Sequence, residues 1–350
     1  MRASEIRKKF LNFFKSKEHT IVESDLLVPK NDPTLLFTGA GMNQFKEQFM
    51  GKNITYKRAA SCQKCMRTAD VENVGKTPRH HTFFEMLGNF SFGDYFKKDA
   101  ITWGWDFMTK EMSIPEDRLW ISVYKEDEES YDIWAKDIEV PEERIVRLGA
   151  KDNFWPANAP SEGPNGPCGP CSEIFYDWGK NVGCGKADCS LECDCGRFVE
   201  IWNLVFTEFE RKPDGCLDPL PNKNIDTGMG LERIASVMQN VCTNFETDIF
   251  EKVNSRIREE LGDGIFSSDI YVVADHVRAA VFAICDGVSP SNEKQGYVIR
   301  KLIRRAYLKG SFKEKPFLFN IVPSIVKVFK EEYPELDEKR EHIAAIIEEE

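Results

Sequence analysis

The run Arg79-His80-His81-Thr82-Phe83-Phe84-Glu85-Met86-Leu87-Gly88-Asn89-Phe90-Ser91-Phe92-Gly93-Asp94 sets two adjacent histidines, an arginine and two carboxylates in an aromatic, β-prone stretch. A core strand has little use for such groups, because a buried charge without a partner costs several kcal/mol. The pattern predicts one wall of a polar ligand site. Cys62-Gln63-Lys64-Cys65-Met66-Arg67 lies upstream, and Ile225-Asp226-Thr227-Gly228-Met229-Gly230-Leu231-Glu232-Arg233 far downstream. Arg67 ends a predicted strand and, taken alone, reads as a solvated surface arginine. Arg233 falls in the first turn of a predicted helix, where the macrodipole disfavours a cation. A bound anion reverses that penalty, since helix N-termini and arginine both attract phosphate. Gly228 and Gly230 let a ligand approach the backbone closely. Asp226 reads either as a plain turn carboxylate or as a receiver for an ammonium group. Two familiar phosphate signatures fail on spacing. Gly75-Lys76-Thr77 has Asp70 where a P-loop has its leading glycine, and Gly39-Ala40-Gly41 lacks the third glycine of a dinucleotide fingerprint.

The eleven cysteines divide by context. Cys168-Gly169-Pro170-Cys171 has the sequence of a thioredoxin-like motif, but a loop precedes it and a strand-like run follows, the wrong setting for that chemistry. Cys62 and Cys65, three apart on a strand, face opposite sides. Cys184, Cys189, Cys193 and Cys195 fall within twelve residues that hold almost no apolar side chain. A structural Zn²⁺ would stabilise such an insert, and four reduced thiols are the alternative. Residues 294–313 carry seven basic residues and no acid. Arg300, Lys301, Arg304 and Arg305 form one stripe on a predicted helix, 297–308, a pattern that suits a phosphate backbone.

These groups need a scaffold. With 350 residues, 41% of them apolar and 30% charged, the chain can bury a large core and is expected to hold two domains. The net charge of −11 excludes a protein that coats nucleic acid over its whole surface, though not a local basic face. No apolar run reaches the length of a membrane span. The N-terminus has no signal-peptide core, and free thiols suit a reducing compartment, so a cytoplasmic location is expected. Ser4 is expected to cap a first helix with Ile6, Phe10, Phe13 and Phe14 on its apolar face. Asn31-Asp32-Pro33 predicts a turn and Thr34–Phe37 a strand. Strands are expected at 58–67, 79–92, 119–124 and 200–209, a helix at 103–108, and a Pro/Gly-rich loop at 156–171. From Leu231 the spacing turns helical. A domain boundary is placed near residue 242, and the chain ends within a helix, as a fragment of a longer protein would.

In their order, the segments at 62–67, 79–96 and 225–233 resemble the catalytic core of the alanyl-tRNA synthetase family, of bacterial type, within the class II aminoacyl-tRNA synthetases. The match extends over nearly the whole chain. It implies an α+β fold: an antiparallel sheet flanked by helices over residues 1–241, the aminoacylation domain. An all-helical tRNA-recognition domain follows over 242–350, cut short at its C-terminal end. By resemblance, Arg67 grips the α-phosphate of ATP and Arg233 lies against the adenine and the γ-phosphate. Phe84 stacks on the other adenine face, His81 contacts ATP, and Gly228 and Gly230 border it. Ile201, Trp202 and Asn203 lie beneath the adenylate. Trp155, Asn203, Val205 and Asp226 form the pocket for L-alanine, with Asp226 taking its ammonium. Packing alone is the other reading of Phe84 and Trp202. Asn292 corresponds to an asparagine near the wobble pair of the tRNA(Ala) acceptor stem. Mg²⁺ is expected with ATP, and neither DNA nor a membrane is an expected partner. In one departure, several relatives carry a longer basic insertion where this chain has only Thr68–Thr77. Two rivals stand beside this reading: a synthetase-like paralogue that acylates something other than tRNA, and a tRNA-binding module without catalysis. The editing and C-terminal regions of the family are expected outside this chain.

Overall fold

The computed structural model describes residues 1–29, 32, 35–262, 264–310 and 315–350. Alternation of side chains along extended segments builds its centre, one large sheet. The strands are β1 (Thr20–Ile21), β2 (Arg58–Met66), β3 (Phe83–Phe92), β4 (Leu119–Tyr124), β5 (Ile145–Leu148), β6 (Phe154–Trp155), β7 (Gly166–Asp177), β8 (Phe198–Arg211) and β9 (Leu217–Gly230). Eight lie side by side in the order β1-β2-β3-β9-β8-β7-β4-β5, and β6 pairs with β7. Pairing is antiparallel except for β1 with β2 and β4 with β5. The expected sheet flanked by helices is therefore present.

Register assigns each face. In β8, Trp202, Leu204 and Phe206 turn to the apolar core, while Asn203 and Val205 point the other way. The core side is closed by helix α1 (Ala3–Ser16), whose Ile6, Phe10 and Phe14 are buried. The Phe10 and Phe14 rings lie 5.7 and 6.2 Å from that of Trp202. Ser4 does not cap this helix. Arg2 is the N-cap, and its N–H donates to Glu5 Oε2 at 2.7 Å, so the carboxylate in the first turn meets the orphan donor.

Two further expectations change. Residues 166–171 belong to β7 rather than to a loop, with Gly166–Cys168 paired to Phe209–Arg211. Gly169 makes this possible: a Cβ there would lie 1.9 Å from Phe206 O. Asp226 sits inside β9, opposite Phe90 and Val205, and not in a turn. Leu35–Phe37 forms no strand. Asn31 and Pro33 of the expected turn, Thr34, and residues 311–313 of the basic stretch lie outside the described residues.

The short helices α2 (Lys46–Phe49), α3 (Lys97–Asp106), α4 (Glu128–Asp132) and α5 (Ala150–Asn153) fill the strand connections. After β9 the described chain is helical: α6 (Leu231–Met238), α7 (Glu251–Leu261), α8 (Ser267–Cys285), α9 (Lys294–Lys309), α10 (Val322–Phe329), α11 (Glu335–Glu338) and α12 (Arg340–Glu349). One apolar cluster runs from Phe10 under the sheet to Ile347 in α12. Among the described residues no helix is long and apolar enough to cross a membrane.

Candidate active site

On the face of the sheet away from α1, strands β3, β6, β7, β8 and β9 help line a cavity of about 210 Å³. Arg67, His81, Phe84, Trp155, Asn203, Val205, Asp226, Gly228, Gly230 and Arg233 all border it. These residues lie far apart in sequence, and antiparallel register brings them together: Val205 faces Asp226, Asn203 faces Gly228, and Met86 faces Gly230.

Asp226 is 7% exposed, and its carboxyl group has no hydrogen-bonding partner among the described residues. Burial pushes its carboxyl up to about 7. Next to it on the same face, Asn203 donates through Nδ2 to Glu173 Oε1 at 2.9 Å. Asn203 Oδ1 is buried without a partner. Burial, with Glu200 nearby, pushes Glu173 well above the usual carboxylate range. Two buried acceptors without donors, in a cavity, describe a place for a cation bearing N–H groups.

The opposite charge collects at the other end. Arg233 occupies the first turn of α6, as its position in the sequence predicts, and its Nη1 lies 2.7 Å from Glu200 Oε2 and 2.9 Å from Glu200 O. Arg67, one residue past β2, donates through Nε to Gly39 O at 3.0 Å, and its guanidinium lies 5.1 Å from the Phe84 ring centroid. Arg79 and His80 border the cavity too. His80 Nδ1 meets Thr77 Oγ1 at 2.7 Å. This end suits an anion, and the Phe84 face suits a planar ring.

His81 is held by protein on both sides. Its Nδ1 lies 3.2 Å from Asp275 Oδ1, and Asn244 Nδ2 lies 3.1 Å from its Nε2. The tautomer consistent with both partners carries the proton on Nδ1. Its ring stacks on Phe250 at 5.3 Å. Asp275, fully buried in α8, also accepts from Thr82 N at 3.0 Å and from His276 Nδ1 at 3.0 Å. Burial alone would raise this carboxyl, but the hydrogen bonds from His276 and His81 hold it well below its ordinary value.

Ile201 and Trp202 do not border the cavity. The Trp202 indole is fully buried, and both residues belong to the apolar core cluster. Sequence reasoning missed Glu173, Glu200, Asn244 and Asp275.

Away from the cavity, α9 carries the expected basic stripe, and each cation already has a carboxylate. Arg300 and Arg304 meet Glu350 at 2.9 and 2.8 Å, and Arg305 and Lys301 meet Glu72 at 2.5 and 3.8 Å. Arg300 also binds the Asn292 side chain. The stripe is thus a row of ion pairs rather than bare positive charge. The Sγ atoms of Cys184, Cys189, Cys193 and Cys195 all lie within 4.8 Å of one another. Two pairs stand 3.7 and 3.6 Å apart. Tetrahedral Zn–S bonds of about 2.3 Å put sulfurs about 3.8 Å apart, so the four thiols fit such an ion. Cys168 and Cys171, by contrast, are buried on a strand, with burial pushing Cys168 up to about 11 and Cys171 well above its ordinary value.

The family described as tRNA synthetases class II (A) matches residues 5–350. The chain is 53% identical to an alanine–tRNA ligase of Carboxydothermus hydrogenoformans, over 99% of this chain and 40% of that protein. It is 50% identical to an alanine–tRNA ligase of Desulforamulus reducens, over 98% of this chain and 39% of that one. The chain thus spans about two fifths of the length of these relatives. Among solved structures, apo histidyl-tRNA synthetase of S. aureus aligns with 73% of this chain and 74% of its own, at 11% identity and a TM-score of 0.40.

Proposed function

This chain belongs to the class II tRNA synthetases, and from that premise we propose that it activates L-alanine with ATP and transfers alanine to the 3′ end of tRNA(Ala). The observation that carries this reading is Asp226: a buried carboxylate, unpartnered among the described residues, in the same cavity as Arg67 and Arg233. An amino acid seated with its ammonium on Asp226 directs its own carboxylate away from that group, towards the arginines. That carboxylate attacks the α-phosphorus of ATP, the bond to the bridging oxygen breaks, and pyrophosphate leaves. The 3′ hydroxyl of tRNA then attacks the carbonyl of alanyl-adenylate and AMP leaves. Arg67 stabilises charge growing on the α-phosphoryl oxygens, and Arg233 holds the far end of the triphosphate. Phe84 offers a face for the adenine, and Gly228 and Gly230 keep its edge of the cavity clear. His81 orders the wall it borders, and Trp155 and Val205 bound the space for the methyl group. Mg²⁺ would neutralise phosphate charge, and the Glu200 carboxylate in the cavity supplies the hard oxygen donor it prefers.

The acceptor stem would run along α9, with Arg300, Lys301, Arg304 and Arg305 on phosphates and Asn292 nearest the bases. The four clustered thiols would hold one structural Zn²⁺ and so order an insert that has little core of its own. All eleven cysteines are free thiols, which suits a reducing cytoplasm. Alanine-dependent exchange of labelled pyrophosphate into ATP, without tRNA, tests the activation step. Exchange that requires alanine supports the reading, and a folded sample with Mg²⁺-ATP that exchanges none overturns it.

A further inference from the structure

We infer that Glu173 is a positioning residue that fixes the amide of Asn203, so that Asn203 Oδ1 and Asp226 together face the ammonium of the bound amino acid. The inference rests on the proposed amino-acid site. Asn203 and Glu173 are directly opposed on β8 and β7. Asn203 Nδ2 donates to Glu173 Oε1 at 2.9 Å. An amide whose N–H₂ donates to a carboxyl oxygen turns its own oxygen the other way. That oxygen is buried without a partner, in a residue that borders the cavity. Asp226 pairs with Val205, two residues along on the same face, a diagonal cross-strand neighbour of Asn203. Two acceptors therefore stand side by side, and an ammonium brings three donors. The reversed amide would aim N–H groups at that cation and repel it.

Glu173 is itself anchored from behind. Ser122 Oγ on β4 lies 3.4 Å from its Oε2 and receives Asn153 Nδ2 at 2.8 Å. Asn153 ends α5, immediately before the strand that carries Trp155. Glu173 thus links the wall at Trp155 to the amide of Asn203, and is 9% exposed.

The test is pyrophosphate exchange with Glu173→Met, which fills the space and accepts no N–H, and Glu173→Gln, whose amide oxygen still can. Glu173→Met should raise KM for alanine about ten- to a hundredfold, the worth of one hydrogen bond to a charged group. KM for ATP should move less than about twofold, within what remote sites usually show. Glu173→Gln should restore KM for alanine to near the parent. An unchanged KM for alanine in Glu173→Met overturns the inference. So does an equal loss for both substrates, or a Gln variant as impaired as Met. If Met unfolds the chain by circular dichroism, the Gln variant decides alone: retained alanine KM supports the role and a lost one removes it. Parent protein without alanine-dependent exchange would instead overturn the site itself.

Discussion

The two faces of the sheet both bury charge, and they treat it in opposite ways. Behind the cavity, Glu85 receives Arg7 through both oxygens at 2.7 and 2.8 Å, and Tyr333 Oη at 2.8 Å. On the same side Lys64 meets Asp286 at 2.8 Å. In front, Asp226 meets no partner among the described residues. A closed pair on the rear face specifies how helices dock, because breaking it strands a charge. An open carboxylate on the front face costs stability until a ligand supplies the missing partner. Phe84 and Glu85 are adjacent on β3 yet belong to these two regimes, since successive side chains on a strand face opposite ways.

The comparison breaks first, and by the largest amount, at Glu85. Glu85→Ala should lower unfolding free energy by about 3–5 kcal/mol, the usual loss when one partner of a buried pair is removed. Urea denaturation measures it, and a loss below about 1 kcal/mol, the range of exposed pairs, would erase the distinction.

Asp226→Asn should go the other way in stability while reducing kcat/KM for alanine at least about a hundredfold, comparable with loss of a charge-assisted contact. The folded carboxyl titrates at about 7 against an ordinary 3.8. Its contribution to stability is complete below the ordinary value and is lost as pH rises through about 7. At about 1.4 kcal/mol for each tenfold change in proton affinity, the asparagine variant should gain a few kcal/mol over the parent by pH 8, and almost nothing at pH 4. Melting curves across that range decide this. The same group sharpens the comparison in the parent: kcat/KM for alanine should fall about tenfold for each step of one in pH below about pH 7, because the carboxyl must lose its proton to receive an ammonium. A flat profile from pH 5 to 8 would count against Asp226 as the receiver. The smallest effect is expected farthest from both faces. Arg304→Ala with Arg305→Ala should weaken tRNA binding, read by filter retention at several salt concentrations, and leave pyrophosphate exchange within about twofold, as distant sites do. A matching loss of exchange would mean that the stripe acts on the cavity.

What could be read from the chain follows from the range of the interactions involved. Helix α1 and strand β4 carry their periodicity in consecutive residues, and the place of Arg233 at a helix start is legible in the residues around it. β9 was hidden, because Pro219 and Pro221 interrupt it and only the ladders to β3 and β8 hold it extended. The second half of β7, from Ser172, reads as a strand, but its first half was hidden for a related reason: Pro167 and Pro170 read as loop until Gly169 lets Phe206 approach. Asn203 could be named but its neighbour Glu173 could not, since their opposition depends on register alone. The contact between Asp275 and His81 joins residues 194 apart in sequence, which no local pattern announces. Trp202 is the reverse case. Period-2 alternation with Asn203 already implied that the indole and the amide point to opposite faces.

The ion pairs along α9 bear on how a nucleic acid would be held there. A bare cationic helix gains affinity for any polyanion because small counterions escape into bulk solution, and their mixing entropy drives association. Glu72 and Glu350 are counterions tied to the chain. When phosphates displace them they stay in place, a few ångströms away, so little entropy is released and some repulsion is added. Such a helix would have a weak appetite for polyanions in general, and would reward those whose shape lets several phosphates exchange with carboxylates at once.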